Sequence, residues 1–184
     1  HGAVLALTSK VISERCIVVA DVTVAVGALA AHLRSQLKDL TVVGITGSQG
    51  KTTTKELLAA ILSSKAETVS PRGNNNNELG VPITLLQCTP ETIYCIVEMG
   101  ARHQGDIAKL AEIARPNVGV VLKVAAAHLG EFGSLETIAK TKSEMISSLS
   151  SDSIAVIGQY DPMTAAMTSL HSGTTFTFGE NSTA

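Results

Sequence analysis

A mostly parallel β-sheet with helices on both faces is the α/β fold this sequence predicts, and three observations predict it. Continuous apolar runs recur along the chain, capped helical patterns separate most of them, and a glycine-rich turn joins one run directly to a helix. Strands covered on both faces read as unbroken apolar stretches, and helices placed between successive strands are what parallel crossovers require.

Taken in order, "AVLAL" (3–7) and "CIVVA" (16–20) are the first two candidate strands, and Asp21 can cap a helix over 21–37. The polar stretch "SQLKDL" then interrupts the pattern, so a boundary is expected near 37–40, with residues 1–38 the tail of a preceding α/β domain. A new strand, "TVVGI" (41–45), leads through the glycine-rich turn into a helix over 52–63. Further strands are expected at 92–99, 118–124, 153–158 and 174–178, with helices at 105–114 and 134–149. The run "NNNN" is the one low-complexity patch, and no internal repeat is visible.

Composition narrows the function. A chain of 184 residues that is 45% hydrophobic and 16% charged can bury one full domain core and part of another. Net charge is −2 and aromatics make up 3%, which provides neither a basic groove nor stacking platforms, so nucleic acid is not an expected partner. No apolar run approaches the roughly 18 residues of a membrane span, and no leader pattern precedes a cleavage site. Cys16, Cys88 and Cys95 are scattered and odd in number, which suits reduced core residues of a cytoplasmic protein better than a disulfide frame or a zinc site. The chain opens at His1 in mid-pattern, and the expectation is that it continues upstream.

The stretch "TGSQGKTTTKE" carries the most specific chemistry. Strand, glycine-rich turn and helix follow one another, with Lys51 and Thr52 at the turn's exit, which is the arrangement of a P-loop. Gly47 and Gly50 let backbone N–H groups of Ser48, Gln49, Lys51, Thr52 and Thr53 close around phosphate oxygens, and the helix offers its positive end to the same anion. Lys51 would reach the terminal phosphates of ATP, and Thr52 would ligate Mg²⁺. Ile45 stands where the longer G-x-x-x-x-G-K-[ST] pattern has glycine, so the loop is the shorter G-x-x-G-K-T form.

A parallel sheet presents its ligand site at the carboxyl ends of its strands. Two more residues fall there. Glu98 closes the strand "TIYCIVE" and is a metal candidate; His128 follows "VVLKVAAA", where an imidazole serves a metal or a phosphate equally well. The loop "RGNNNNELGVP" adds side-chain amides that favour turns and donate to anions. On the helix over 134–149, Leu135, Ile138, Met145, Ile146 and Leu149 form a stripe that includes Lys142, while Lys140 points nearly opposite. Lysines in such stripes snorkel, or, when buried, lose their charge and become able to take up CO₂ as a carbamate.

In their order and spacing, "ITGSQGKTTTKE", "NNNNELGVP", "VEMGARHQGDI" and "AAAHLGEFGSLETIAKTKSEM" resemble the Mur ligases, which build the peptide stem of peptidoglycan. The resemblance spans essentially the whole chain. Among members of that family, "GARHQGDI" and "AHLGEFGS" look most like the one that joins D-Ala-D-Ala to UDP-MurNAc-tripeptide through an acyl phosphate. It implies a P-loop ATPase-like central domain over 39–184, incomplete here, preceded by the end of a UDP-sugar-binding domain and lacking a C-terminal ligase domain. It also implies a monomer that uses ATP and Mg²⁺, with Thr52 and Glu98 on one ion and His128 and a carbamoylated Lys142 on a second. Asn77 would face the substrate or the transferred phosphate, and His103 would lie on the substrate side. Two positions depart from the family pattern: Lys123 replaces an asparagine, and "GQYDP" replaces an "NADDP"-like turn. Folylpolyglutamate synthases share the fold and chemistry, but their substrate loops are not expected to read "GARHQGDI". A non-catalytic nucleotide-binding module is the reading from another class, and intact Lys51, Thr52, Glu98 and His128 argue against it.

Overall fold

The computed structural model describes residues 3–71, 73, 75–126 and 132–179. Its strands are β1 (Ala6–Thr8), β2 (Cys16–Val18), β3 (Thr41–Thr46), β4 (Thr68–Val69), β5 (Tyr94–Glu98), β6 (Val118–Val121), β7 (Ile154–Gly158) and β8 (Thr174–Phe178). The helices among the described residues are α1 (Val22–Gln36), α2 (Lys51–Ser63), α3 (Gly80–Leu85), α4 (Asp106–Ala114), α5 (Leu135–Ser147) and α6 (Pro162–Ala165), the last continued by a 3₁₀ turn over Ala166–Leu170. Six strands form an all-parallel sheet in the order β4-β5-β3-β6-β7-β8, and β1 and β2 form a separate parallel pair.

The core lies on both faces of that sheet because successive residues of a strand point opposite ways. Val42 joins Val97, Met99, Ile138 and Met145 on one face, under α1, α3, α4 and α5. Its neighbours Val43 and Ile45 join Ile96, Val120 and Leu122 on the other, where Leu58, Ala59 and Leu62 of α2 cover them. Caps fix two of the long helices where the sequence predicts. Asp21 Oδ1 accepts from Val24 N–H at 3.0 Å to open α1, and Ser134 Oγ accepts from Thr137 N–H at 3.2 Å to open α5.

Two features go beyond the sequence expectation. α3 and the short edge strand β4 were not expected, since both are too short to show periodicity. The sequence reading also groups residues up to 38 with a preceding domain, whereas α1 packs on α3 and α4. Ala30 is fully buried there, and Arg34 donates to Ala114 O (3.1 Å) and Asn117 Oδ1 (2.9 Å). By packing, therefore, α1 goes with the six-stranded sheet, and only β1 and β2 stand apart.

Candidate functional site

β3 lies inside the sheet with β5 on one side and β6 on the other, and the chain leaves β3 and β6 in opposite directions. That divergence opens a crevice at the carboxyl ends of the strands, and the loop 47–50 fills its floor. Gly50 adopts φ +84°, a left-handed conformation that glycine takes without strain, and it turns the chain into α2. No side chain caps α2 and no acidic residue occupies its first turn. The leading N–H groups of that helix therefore point outward as anion donors. Lys51 Nζ folds back onto Gly47 O at 2.9 Å, at the mouth of the same loop.

Ser48 braces this loop. Its N–H donates to Lys123 O (2.7 Å), and its hydroxyl bonds both Ala125 O (3.1 Å) and Ala125 N–H (3.0 Å), which stitches the loop to the segment after β6. That segment is itself fixed by Asp161, whose Oδ2 accepts from Val124 N–H (3.0 Å) while its Oδ1 accepts from Thr164 N–H (2.8 Å) at the start of α6. The departure "GQYDP" thus keeps the carboxylate that matters for packing. Gln49, Gly50 and Thr54 then share an open cavity of about 370 Å³ with Leu122, Lys123, Tyr160 and Phe178. Tyr160 meets Phe178 edge to face, with ring centroids 5.9 Å apart.

On the other side of β3, Thr52 Oγ1 donates to Glu98 Oε2 at 3.0 Å, so the hydroxyl of the loop and the strand-end carboxylate are brought together. Glu98 is only 2% exposed, and its second oxygen, Oε1, accepts from Asn76 Nδ2 at 2.9 Å. Lys142 is buried on α5, as its place in the apolar stripe requires, and Lys140 is exposed. The Lys142 pKa is lowered to about 8, chiefly by burial and also by the nearby Lys51 charge, with Glu144 opposing both. Thr53 is exposed on the first turn of α2. Asn77 is exposed too, and its Oδ1 accepts from Gly80 N–H at 2.9 Å, closing the turn into α3. His103 stands at the rim after β5, with its side chain 80% exposed and Nδ1 3.8 Å from Asp106 Oδ2. His128 lies outside the described residues.

Sequence reasoning missed four residues of this region. Asn76 sat unresolved in a run of four identical letters. Tyr160 and Phe178 are far apart in the chain and meet only through the pairing of β7 with β8. Lys55 is fully buried, with Nζ donating to Pro71 O (2.8 Å) and Gly73 O (2.7 Å). A signal for it existed, because it shares a helical stripe with Leu58, Ala59 and Leu62 just as Lys142 does with Ile138.

A sequence profile of the Mur ligase middle domain matches residues 45–184. The chain belongs to the Mur ligase family. It is 48% identical over 153 residues to the UDP-N-acetylmuramoyl-tripeptide–D-alanyl-D-alanine ligase of Mycobacterium tuberculosis, covering 82% of this chain and 30% of that protein. The same ligase of Escherichia coli is 46% identical over 156 residues, covering 85% and 34%. Among solved structures, MurF ligase of Thermotoga maritima in complex with ADP superposes with a TM-score of 0.86 at 36% identity, over 98% of this chain and 42% of that one. The chain thus spans about a third of the length of the curated Mur ligases it matches.

Proposed function

We propose that this chain is the ATP-handling part of a Mur ligase that joins D-Ala-D-Ala to UDP-MurNAc-tripeptide. The observation that carries the reading is the Thr52–Glu98 hydrogen bond beside the uncapped start of α2, which unites an anion-binding helix end with an oxygen pair suited to a hard cation. The similarity to ligases that add D-alanyl-D-alanine supports this choice of substrates.

In this reading Gly47, Gln49, Gly50, Lys51, Thr52 and Thr53 hold the ATP phosphates, with Ser48 bracing the loop. The cavity walled by Tyr160, Phe178, Leu122 and Lys123 takes the base. Thr52 and Glu98 fit Mg²⁺, because both offer oxygen and Mg²⁺ completes its shell with phosphate and water rather than a protein cage. Among the described residues no group of three or more His, Cys, Asp or Glu side chains is placed to form such a cage. Lys142, buried and with its pKa lowered to about 8, suits the carbamate that would join His128 at a second Mg²⁺. The ions supply neutralisation of crowded phosphate charge.

The chain's own part is positioning. Lys51 exchanges Gly47 O for the terminal phosphates and draws off charge as the γ-phosphate passes to the tripeptide carboxylate, the β–γ anhydride bond breaks and ADP leaves. The D-Ala-D-Ala amine then attacks the acyl phosphate, the C–N bond forms, and phosphate leaves. Asn77 and His103, both exposed at the rim, face the incoming substrates. We infer residues 1–20 to be the end of a UDP-sugar-binding domain, in place of 1–38, because α1 packs with the sheet. We also infer a monomer in the cytoplasm, where its free cysteines Cys16, Cys88 and Cys95 stay reduced. No helix of the described residues is long and apolar enough to cross a membrane.

The test is ligation by the complete reading frame. Release of phosphate from ATP should require UDP-MurNAc-tripeptide and yield the pentapeptide only with D-Ala-D-Ala, and Lys51→Ala should abolish it. Turnover that ignores either substrate, or that persists in Lys51→Ala, would overturn the reading.

A further inference from the structure

We propose that Lys55 is a positioning residue: it tethers the asparagine loop to α2 so that Asn76 holds the Glu98 carboxylate in register with Thr52, and thereby sets the affinity of that pair for a divalent cation. The inference rests on the metal reading of Thr52 and Glu98 given above.

Lys55 lies one turn beyond Lys51 on α2, and its side chain is wholly buried. Its Nζ is surrounded by three acceptors for its three N–H bonds: Pro71 O at 2.8 Å, Gly73 O at 2.7 Å and Glu56 Oε1 at 2.9 Å. Burying an amine is costly, and a methionine or leucine would fill the same space beside Leu58 and Ala59. The directional bonds to two loop carbonyls are what the amine adds.

Asn75 and Asn76 are closely packed against the sheet end and the start of α3. Gly100 N–H donates to Asn76 O at 2.8 Å, and the Asn76 amide donates to Glu98 Oε1 at 2.9 Å. A Cβ on Gly80 would fall 2.5 Å from the Asn75 carbonyl carbon, and one on Gly100 would fall 2.9 Å from Asn76 Oδ1. The contacts on either side line up: Lys55 bonds the loop backbone at Pro71 and Gly73, Asn76 three residues further on bonds one oxygen of Glu98, and Thr52 meets the other. If the anchor is lost, Asn76 can withdraw, and a nearly buried carboxylate must find a new orientation before it meets a cation. Partners of this outer kind are worth about 10–100-fold in metal affinity.

Mn²⁺ titrated into the full chain in the presence of ADP, with the free ion followed by electron paramagnetic resonance, reads that affinity directly. Asn76→Ala and Lys55→Met should each weaken Mn²⁺ binding by about ten-fold or more. The double variant should be no weaker than the worse single, because both changes break one chain of contacts. Lys55→Gln, which keeps amide donors at shorter reach, should fall between wild type and Lys55→Met, and it carries the test if Lys55→Met does not fold. A folded Lys55→Met or Lys55→Gln with wild-type Mn²⁺ affinity, or additive losses in the double variant, would overturn the tether. Glu98→Gln separates the two levels. It should lose Mn²⁺ binding, and if it does not, the metal reading falls and the tether with it.

Discussion

Lys142 is a single buried amine whose burial carries a cost that a stability-versus-pH measurement reads. Its pKa falls from 10.5 to about 8, so the unfolded chain binds more protons than the folded one between those values. Stability must then rise with pH from about 8 to about 10.5, and below about 8 the full penalty of up to about 3 kcal/mol is present. In CO₂-depleted, metal-free buffer, Lys142→Met should remove that penalty. The variant should unfold at higher denaturant than wild type at pH 7, and the difference should close by about pH 10.5. A difference that does not change with pH would mean that the amine is solvated. In the complete ligase the same position should behave oppositely: Lys142→Ala should lose activity that bicarbonate does not restore, while Lys140→Ala, altering an exposed side chain, should match wild type. The burial of Lys142 was legible because it falls in an apolar stripe of α5. The contact of Asn76 with Glu98 was not, because identical neighbours in "NNNN" carry no pattern to tell one from another.

The loop before α3 gives a test on a single element. α3 is six residues long and has no side-chain cap at Leu79, so the bond from Gly80 N–H to Asn77 Oδ1 does much to define its start. Asn77→Ala should cost about 1 kcal/mol of stability, whatever it also does to ligation, and Asn77→Asp should recover most of that loss. Urea denaturation of the three proteins decides it: no loss in Asn77→Ala would remove the capping role. Elements of this length escape sequence reading for a physical reason. β4 and α3 owe their form to the neighbours they pack on, and α6 to Asp161 bridging its first turn and Val124 N–H. By contrast α1, α2, α4 and α5 run long enough for caps and stripes to be visible, and β3, β5, β6, β7 and β8 coincide with apolar runs, ending within a few residues of the expected bounds.

Over the whole molecule, strand order decides what the motifs can do. Alternating runs in the sequence imply a parallel sheet, but only the order β4-β5-β3-β6-β7-β8 brings the ends of β3, β5 and β6 to one edge. The pairing of Ile45 with Glu98 and of Thr46 with Val121 puts loop, carboxylate and Lys123 side by side. The packing of α1 on α3 and α4 supports a proposed boundary near residue 20. Removing residues 1–20 should leave a cooperatively folding protein that still binds MgADP, whereas removing 1–38 should strip Ala30 and Arg34 from α3 and α4 and cost several kcal/mol. Equal unfolding midpoints for the two truncations would restore the later boundary. The 184-residue chain should bind nucleotide and yet fail to ligate, since closure by further domains completes sites of this kind. The central claim is that the bound ATP activates a carboxylate. It is tested most directly by isotope transfer in the complete ligase, with ¹⁸O placed in the terminal carboxylate of UDP-MurNAc-tripeptide. If an acyl phosphate forms, the phosphate released during ligation to D-Ala-D-Ala carries one ¹⁸O from that carboxylate; ligation that releases phosphate without ¹⁸O would contradict the account.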